Sequence, residues 1–191
     1  AAVSGTEKLT AALSDLKNDN AQGEYYLTDI VPIAVKSGAR VDAVLIPNSK
    51  AVLGANNRAE LSALEAMRRA EINRHWMEAG VTMEDPGRTY IEEDVSIETD
   101  VFLGSGTRLR GQTVIKWGAV IDGDTVIADS TIGEGTHIKF SSMVDGSRVG
   151  PGCAVGPFAH LRPGSELHEQ VKIGNFVETK KAVFEKGSKA N

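Results

Sequence analysis

From Ile91 onward an aliphatic residue returns at nearly every sixth position, and no other feature narrows the fold of this 191-residue chain so far. The series runs Ile91, Ile97, Leu103, Leu109, Ile115, Ile121 and Ile127, then takes a five-residue step to Ile132. It continues through Ile138 and Val144, takes a second five-residue step to Val149, and resumes at Val155, Leu161, Leu167 and Ile173. A second register follows four residues behind, small or β-branched, as at Val101, Thr107, Thr113, Ala119, Thr125, Thr131, Thr136, Ser142 and Cys153. Large aliphatic, small residue, turn is the hexapeptide pattern of a parallel β-helix.

The reason is geometric. Six residues make one short strand and one turn, and three such units close a triangular coil of about 18 residues. Each aliphatic then points inward and stacks on its counterpart one coil later. Burying one such side chain is worth roughly 1.5–3 kcal/mol, but a single coil cannot cover its own faces, so stability comes from neighbouring coils. Gly104, Gly106, Gly123, Gly133, Gly135, Gly150 and Gly152 fall at the expected corners, which need either positive φ or close packing. A helix would need a period near 3.6 and would not tolerate this glycine density.

The N-terminal part is organised differently. Thr6 to Lys17 reads as an amphipathic helix with Leu9, Ala12, Leu13 and Leu16 on one face. Asn18 to Gly23 is a loop, and Glu24 to Lys36 a second helix in which Pro32 fits only near the first turn. Gly38 stops it, and Val41 to Ile46 reads as a strand closed by Pro47. A longer helix runs from Arg58 to about Ala79, with Leu61, Leu64, Met67 and Ala70 as its apolar stripe, before Gly80 and Pro86 lead into the repeats. One strand does not make a sheet. Residues 1–57 are therefore expected to be the remnant of a larger α/β domain, 58–86 a linker helix and connection, and 87–191 the β-helix.

A net charge of −5 argues against nucleic acid as the main partner. No apolar run has membrane length and no signal-peptide pattern is present. The single cysteine, Cys153, sits at a small corner position and has no internal partner for a disulfide, which fits a reducing cytoplasm. The start at Ala1 and the stop within a repeat phase give the expectation of a piece of a longer protein.

Five segments add a family to this reading. Asn20-Ala-Gln-Gly-Glu-Tyr-Tyr-Leu-Thr-Asp29, Gly54-Ala-Asn-Asn-Arg58, Ala79-Gly-Val-Thr-Met-Glu-Asp-Pro86, Gly156-Pro-Phe-Ala-His-Leu-Arg-Pro-Gly164 and Gly174-Asn-Phe-Val-Glu-Thr-Lys-Lys181 occur in this order. Together they resemble the bacterial bifunctional GlmU family, in which an N-acetylglucosamine-1-phosphate uridyltransferase is joined to a glucosamine-1-phosphate acetyltransferase. The resemblance implies a left-handed β-helix, assembly as a homotrimer, and a role in making UDP-N-acetylglucosamine for cell-wall precursors. It also implies sugar phosphates, acetyl-CoA and UTP as substrates, with no membrane or nucleic-acid partner.

Carried over residue by residue, the resemblance makes Asn56 a ligand of the Mg²⁺ ion used in uridyl transfer. An Asn carbonyl is a reasonable hard-oxygen ligand, and Asn56 and Asn57 are also good helix caps. Arg162 and Lys180 match the pair that grips the phosphate of glucosamine 1-phosphate, where a guanidinium fork and an ammonium point charge neutralise a dianion. Lys181 reads as a surface neighbour. The family's general-base His follows its Gly-Ser-Lys-Ala segment, here Gly187 to Ala190, and is expected past Asn191. The Gly-rich nucleotide loop is expected upstream, so no catalytic residue is assigned within the chain and the chain alone is expected to be inactive. His75, His137, His160 and His168 are read as surface residues, with His160 near the phosphate position. The alternatives are another hexapeptide-repeat acyltransferase with a helical arm, or a non-catalytic trimeric β-helix scaffold or regulatory subunit.

Overall fold

The computed structural model describes residues 6–45 and 53–191. The chain divides into two compact units, Ala1–Leu53 and Gly54–Asn191.

The second unit is built on the repeat. Its strands are two or three residues long and fall into three sheets of seven, six and six strands. The first sheet joins Thr82–Met83, Phe102–Leu103, Val120–Ile121, His137–Ile138, Ala154–Val155, Lys172–Ile173 and Lys189–Ala190. The second joins Tyr90–Ile91, Arg108–Arg110, Val126–Ala128, Met143–Asp145, His160–Leu161 and Glu178–Thr179. The third joins Ser96–Ile97, Val114–Ile115, Thr131–Ile132, Arg148–Val149, Glu166–Leu167 and Val183–Phe184. Every pairing is parallel and links one coil to the next, as in Phe102↔Val120 and Val120↔His137. This is the left-handed parallel β-helix that the period and the resemblance together implied, with about six turns. Its first paired strand, Thr82–Met83, lies ahead of residue 87.

Each strand sends one residue inward. Leu103, Ile121, Ile138 and Val155 stack under the first sheet at 0% exposure, and Leu109, Ile127, Val144 and Leu161 do the same under the second. The corners are lined by Thr107, Thr113, Thr125, Thr136 and Ser142, all buried, whose hydroxyls are absorbed by the local backbone. Thr107 Oγ1 donates to the Gly104 carbonyl at 2.7 Å and Thr136 Oγ1 to that of Gly150 at 2.7 Å, so the desolvation cost of these buried hydroxyls is offset.

Both five-residue steps fall at the same corner, between the second and third sheets. There the small buried residue comes one position early. Ser130 and Ser147 are buried, whereas Thr131 faces outward and pairs with Val114, contrary to its place in the second register. Losing one residue from the turn leaves room for a serine but not for a longer spacer, and Ser147 N–H donates to Ser130 Oγ at 3.0 Å across the coils. Two glycines show why the corners exclude side chains. Gly106 has φ of +82°, and a Cβ on Gly104 would lie 2.4 Å from the Gly123 nitrogen.

The long helix α3, Arg58–Glu78, belongs to this unit. Its packed face differs from the expected stripe. Leu61 is 50% exposed and Ala70 is exposed, while Ile72 and Trp76 pack against the solenoid core and Asn73 is fully buried. Asn73 Nδ2 donates to the carbonyls of Pro86 at 2.7 Å and Thr89 at 2.9 Å, pinning the helix to the start of the first coil. Leu64 and Met67 of the expected stripe are half-buried, while the residues packed on the solenoid core, Ile72 and Trp76, lie further along the helix.

In the first unit, α1 spans Thr6–Ser14 and α2 Ile30–Lys36, preceded by a 3₁₀ turn at Leu27–Asp29. The expected second helix is therefore shorter at its start, and Pro32 sits in its first turn as predicted. Gly38 ends it at φ +76°. No strand forms over residues 41–45, where Val44 and Leu45 are almost fully exposed. An extended segment with no hydrogen-bonding neighbour has nothing to hold it as a strand. Ile46 and Pro47 lie outside the described residues.

Candidate functional site

The outward face of the second sheet assembles the charged residues singled out from the sequence. Leu161 and Thr179 are register partners pointing inward, and the Arg162 N–H donates to the Thr179 carbonyl at 2.9 Å. The residues that follow them, Arg162 and Lys180, therefore sit one coil apart in the same outward row. The backbone below is fixed by hydroxyls. Ser165 Oγ and Ser147 Oγ donate to the Arg162 carbonyl at 2.7 and 3.1 Å, and Ser165 Oγ lies 2.8 Å from Thr179 Oγ1.

The row has an occupant that the sequence reading missed. Arg162 Nη1 lies 2.6 Å from Glu178 Oε1. A hydrogen bond from Arg162, then its charge, hold the Glu178 carboxyl below the usual range, with His160 and Lys180 adding to the effect. His160 is the register partner of Glu178 and is half-buried. The spacing held the signal, since residues 16 apart become diagonal neighbours once the coil length is 17 or 18. Lys181 behaves differently from Lys180. It turns the corner at φ +48°, close to Gly164, where an added Cβ would meet its Cγ at 3.2 Å.

Beside this row, at the corner between the first and second sheets, three phenylalanines form a ladder. Phe158 and Phe176 stack with centroids 5.3 Å apart, and Phe140 meets Phe158 edge-on at 5.8 Å. Phe158 and Phe176 both take positive φ, 55° and 59°, a conformation that costs a bulky residue about 1–3 kcal/mol. All three remain exposed, Phe176 at 76%.

At the head of α3 the two asparagines separate in role. Asn57 is the N-cap, its side chain accepting from Glu60 N–H at 2.9 Å, while Glu60 Oε2 reaches back to the Asn56 N–H at 2.7 Å. This resembles a capping box, except that the return bond from Glu60 goes to the residue before the cap rather than to the cap itself. The Asn56 amide is exposed, and no group of three or more His, Cys, Asp or Glu that could hold a metal occurs among the described residues. One neutral oxygen does not bind Mg²⁺, so these residues do not fit a Mg²⁺ site by themselves.

The remaining histidines stay outside any cluster. His75 lies edge-on to Trp76, His137 Nε2 is 3.0 Å from Asp122, and His168 Nδ1 is 3.1 Å from Glu185. Cys153 is buried, its thiol directed at the His168 carbonyl, and burial pushes it up from the usual thiol range.

No family model matches the chain. Whole sequences do. The chain is 45% identical over 185 residues to the bifunctional protein GlmU of Shouchella clausii (strain KSM-K16), covering 97% of this chain and 40% of that protein. It is 43% identical over the same length to that of Geobacillus sp. (strain WCH70). The chain is similar to GlmU along almost its whole length. It covers about two-fifths of the length of these GlmU relatives. Among solved structures, the acetyltransferase domain of PglB from Neisseria gonorrhoeae FA1090 aligns with 63% of this chain and 62% of its own at 15% identity and a TM-score of 0.31. PerB from Caulobacter crescentus aligns with 66% of this chain and 60% of its own at 18% identity and a TM-score of 0.30. Neither likeness is strong enough to bear on chemistry. The GlmU match extends through both units, and among the described residues no helix is long and apolar enough to cross a membrane.

Proposed function

We propose that this chain carries the phosphate-gripping part of an acetyltransferase site, in which Arg162 and Lys180 hold the phosphate of glucosamine 1-phosphate. The observation that carries this is their placement in one outward row, one coil apart, in a chain of GlmU kinship. A guanidinium offers two parallel donors to a phosphate and an ammonium adds a mobile point charge. Glu178 tempers the site. With the ligand absent it neutralises Arg162, and an arriving dianion has to take over that guanidinium against a neighbouring negative charge. Binding by the chain alone is therefore weak.

In the proposed reaction the sugar amine attacks the thioester of acetyl-CoA, the CoA thiol leaves, and a base takes the amine proton. That base is a histidine in the part of the GlmU architecture following this stretch, so the chain alone binds sugar phosphate without acetylating it. Residues 1–57 contribute to the uridyltransferase half, which uses UTP and Mg²⁺ to complete UDP-N-acetylglucosamine. The protein works in the cytoplasm, where the free Cys153 stays reduced. It assembles as a homotrimer, which the exposed Phe140, Phe158, Phe176 and Trp117 support as apolar surface in need of cover.

Calorimetric titration of glucosamine 1-phosphate tests the site. Weak saturable binding is expected, reduced by Arg162→Ala or Lys180→Ala by roughly ten-fold or more. A tight affinity that survives Arg162→Ala contradicts the placement.

A further inference from the structure

A second concentration of positive charge lies at the other end of the solenoid, where α3 crosses the first coils. Arg69 on α3 lies over the ring of Tyr90 at 4.8 Å from its centroid, and Arg108, the register partner of Tyr90, lies over the same ring at 4.6 Å. The two guanidinium carbons are thus no more than roughly 10 Å apart, about one screening length at 0.1 M salt. Arg110 ends the same strand as Arg108, and these groups line one open cleft of about 380 Å³.

The charges are not balanced from within. Among the described residues, Arg69, Arg108 and Arg110 have no ion pair, whereas neighbouring Arg68 is held by Glu93 at 2.7 Å and Glu71 at 3.5 Å. Two carboxylates share the cleft. Glu92 stands beside Arg110 in register, but its Oε2 accepts from the Gly111 N–H at 2.8 Å. Glu65 is exposed on α3. A tyrosine face offsets part of the mutual repulsion of two cations, and a multivalent anion would remove the rest while taking up the unused planar donors.

We infer that the cleft between α3 and the second sheet, formed by Arg69, Tyr90, Arg108 and Arg110, is a binding site for a small phosphate or diphosphate anion. It stands apart from Arg162 and Lys180, which lie on later coils. Arg69 and Arg108 supply paired donors from opposite walls, Arg110 adds charge at the rim, and Glu65 weakens the site. Helix and solenoid each give part of the cradle, so an anion there also ties α3 to the coils.

The test is calorimetric titration of inorganic pyrophosphate, at low salt, into the chain carrying Arg162→Ala and Lys180→Ala, so that only this cleft is read. Saturable one-site binding is expected, weakened roughly ten-fold by Arg69→Gln or Arg108→Gln and tightened by Glu65→Gln. If Arg69→Gln disturbs α3, as circular dichroism would show, Arg110→Gln at the exposed rim gives the same reading. Absence of saturable binding, or binding that survives both Arg108→Gln and Arg110→Gln, overturns the proposal. A nucleoside diphosphate distinguishes the source: equal affinity means the phosphates alone are recognised, and tighter affinity means the ligand is carried on a larger molecule.

Discussion

The two units of this chain bury their apolar residues with very different success. In the first, α1 and α2 bury Ala12 and Ile30, while Leu13, Leu27, Val31 and Val35 stay 43–67% exposed. In the second, Leu103, Leu109, Ile115, Ile121, Ile127 and Ile132 are all at 0%. The first unit is not short of hydrophobic residues: they are 26 of its 53, against 52 of 138 in the second. What it lacks is repetition. Helices of nine and seven residues are too short to be stable from propensity and need a surface to pack on. Each coil of the solenoid supplies that surface for the next, so a modest six-residue unit gains a closed core by being repeated.

The largest expected effect separates the units directly. Ile121→Ala should lower stability in urea unfolding by about 2–5 kcal/mol, since it opens a cavity in a stacked column. Leu13→Ala, on a surface already 43% exposed, should stay within about 0.5 kcal/mol. Equal losses would end the contrast. Next comes the joint between α3 and the first coil. Asn73→Ala strands the Pro86 and Thr89 carbonyls and should cost about 1–3 kcal/mol. A negligible change would mean that water replaces the amide. At the head of α3, Asn57→Ala should cost about 1 kcal/mol, whereas Asn56→Ala should leave stability almost unchanged. Amide exchange in the first helical turn would separate them, and equal protection in both variants would refute the division of roles.

The smallest effect is electrostatic and belongs to the solenoid surface. Glu98, Glu169 and Glu178 are each held below the usual carboxylate range by a hydrogen bond from Lys116, Lys186 and Arg162 respectively, then by its charge or, for Glu98, by the Trp117 amide. A depressed carboxyl favours the folded state fully above its unfolded value, about 4.3 for Glu, and that contribution is lost as pH falls below it. Glu169 and Glu178 are exposed and Glu98 is half-exposed, so solvent screens all three and the gain is small. The melting temperature should drop as pH goes from about 5 to 3, and the combined Glu98→Gln, Glu169→Gln and Glu178→Gln variant should flatten part of that drop. An unchanged profile would mean the pairs contribute nothing.

Much of this was readable in the chain itself, for a physical reason. The aliphatic period, the two short steps and the corner glycines are local requirements repeated many times, so a misjudged residue such as Thr131 did not disturb the register. The helix cap was readable too, though not which asparagine supplied it. The strand expected from Val41 and the stripe from Leu61 were misread, because each depends on what lies opposite, and nothing in the segment encodes a neighbour. The site was half legible. Arg162 and Lys180 came from motifs, but the ion pair of Arg162 with Glu178 emerges only once the coil length places residues 16 apart side by side.

By itself, then, the sequence determined the repeat, the inward columns and the corners, since each rests on spacing that survives without knowing the partner surface. Tertiary structure alone decided which face of α3 is buried, that Glu178 pairs with Arg162, and that Arg69 and Arg108 meet over Tyr90. Those outcomes depend on the closing geometry of successive coils and on where a helix happens to cross them. Charges distant in sequence acquire chemistry only when the backbone brings them within the few ångströms over which a hydrogen bond or a cation–π contact acts.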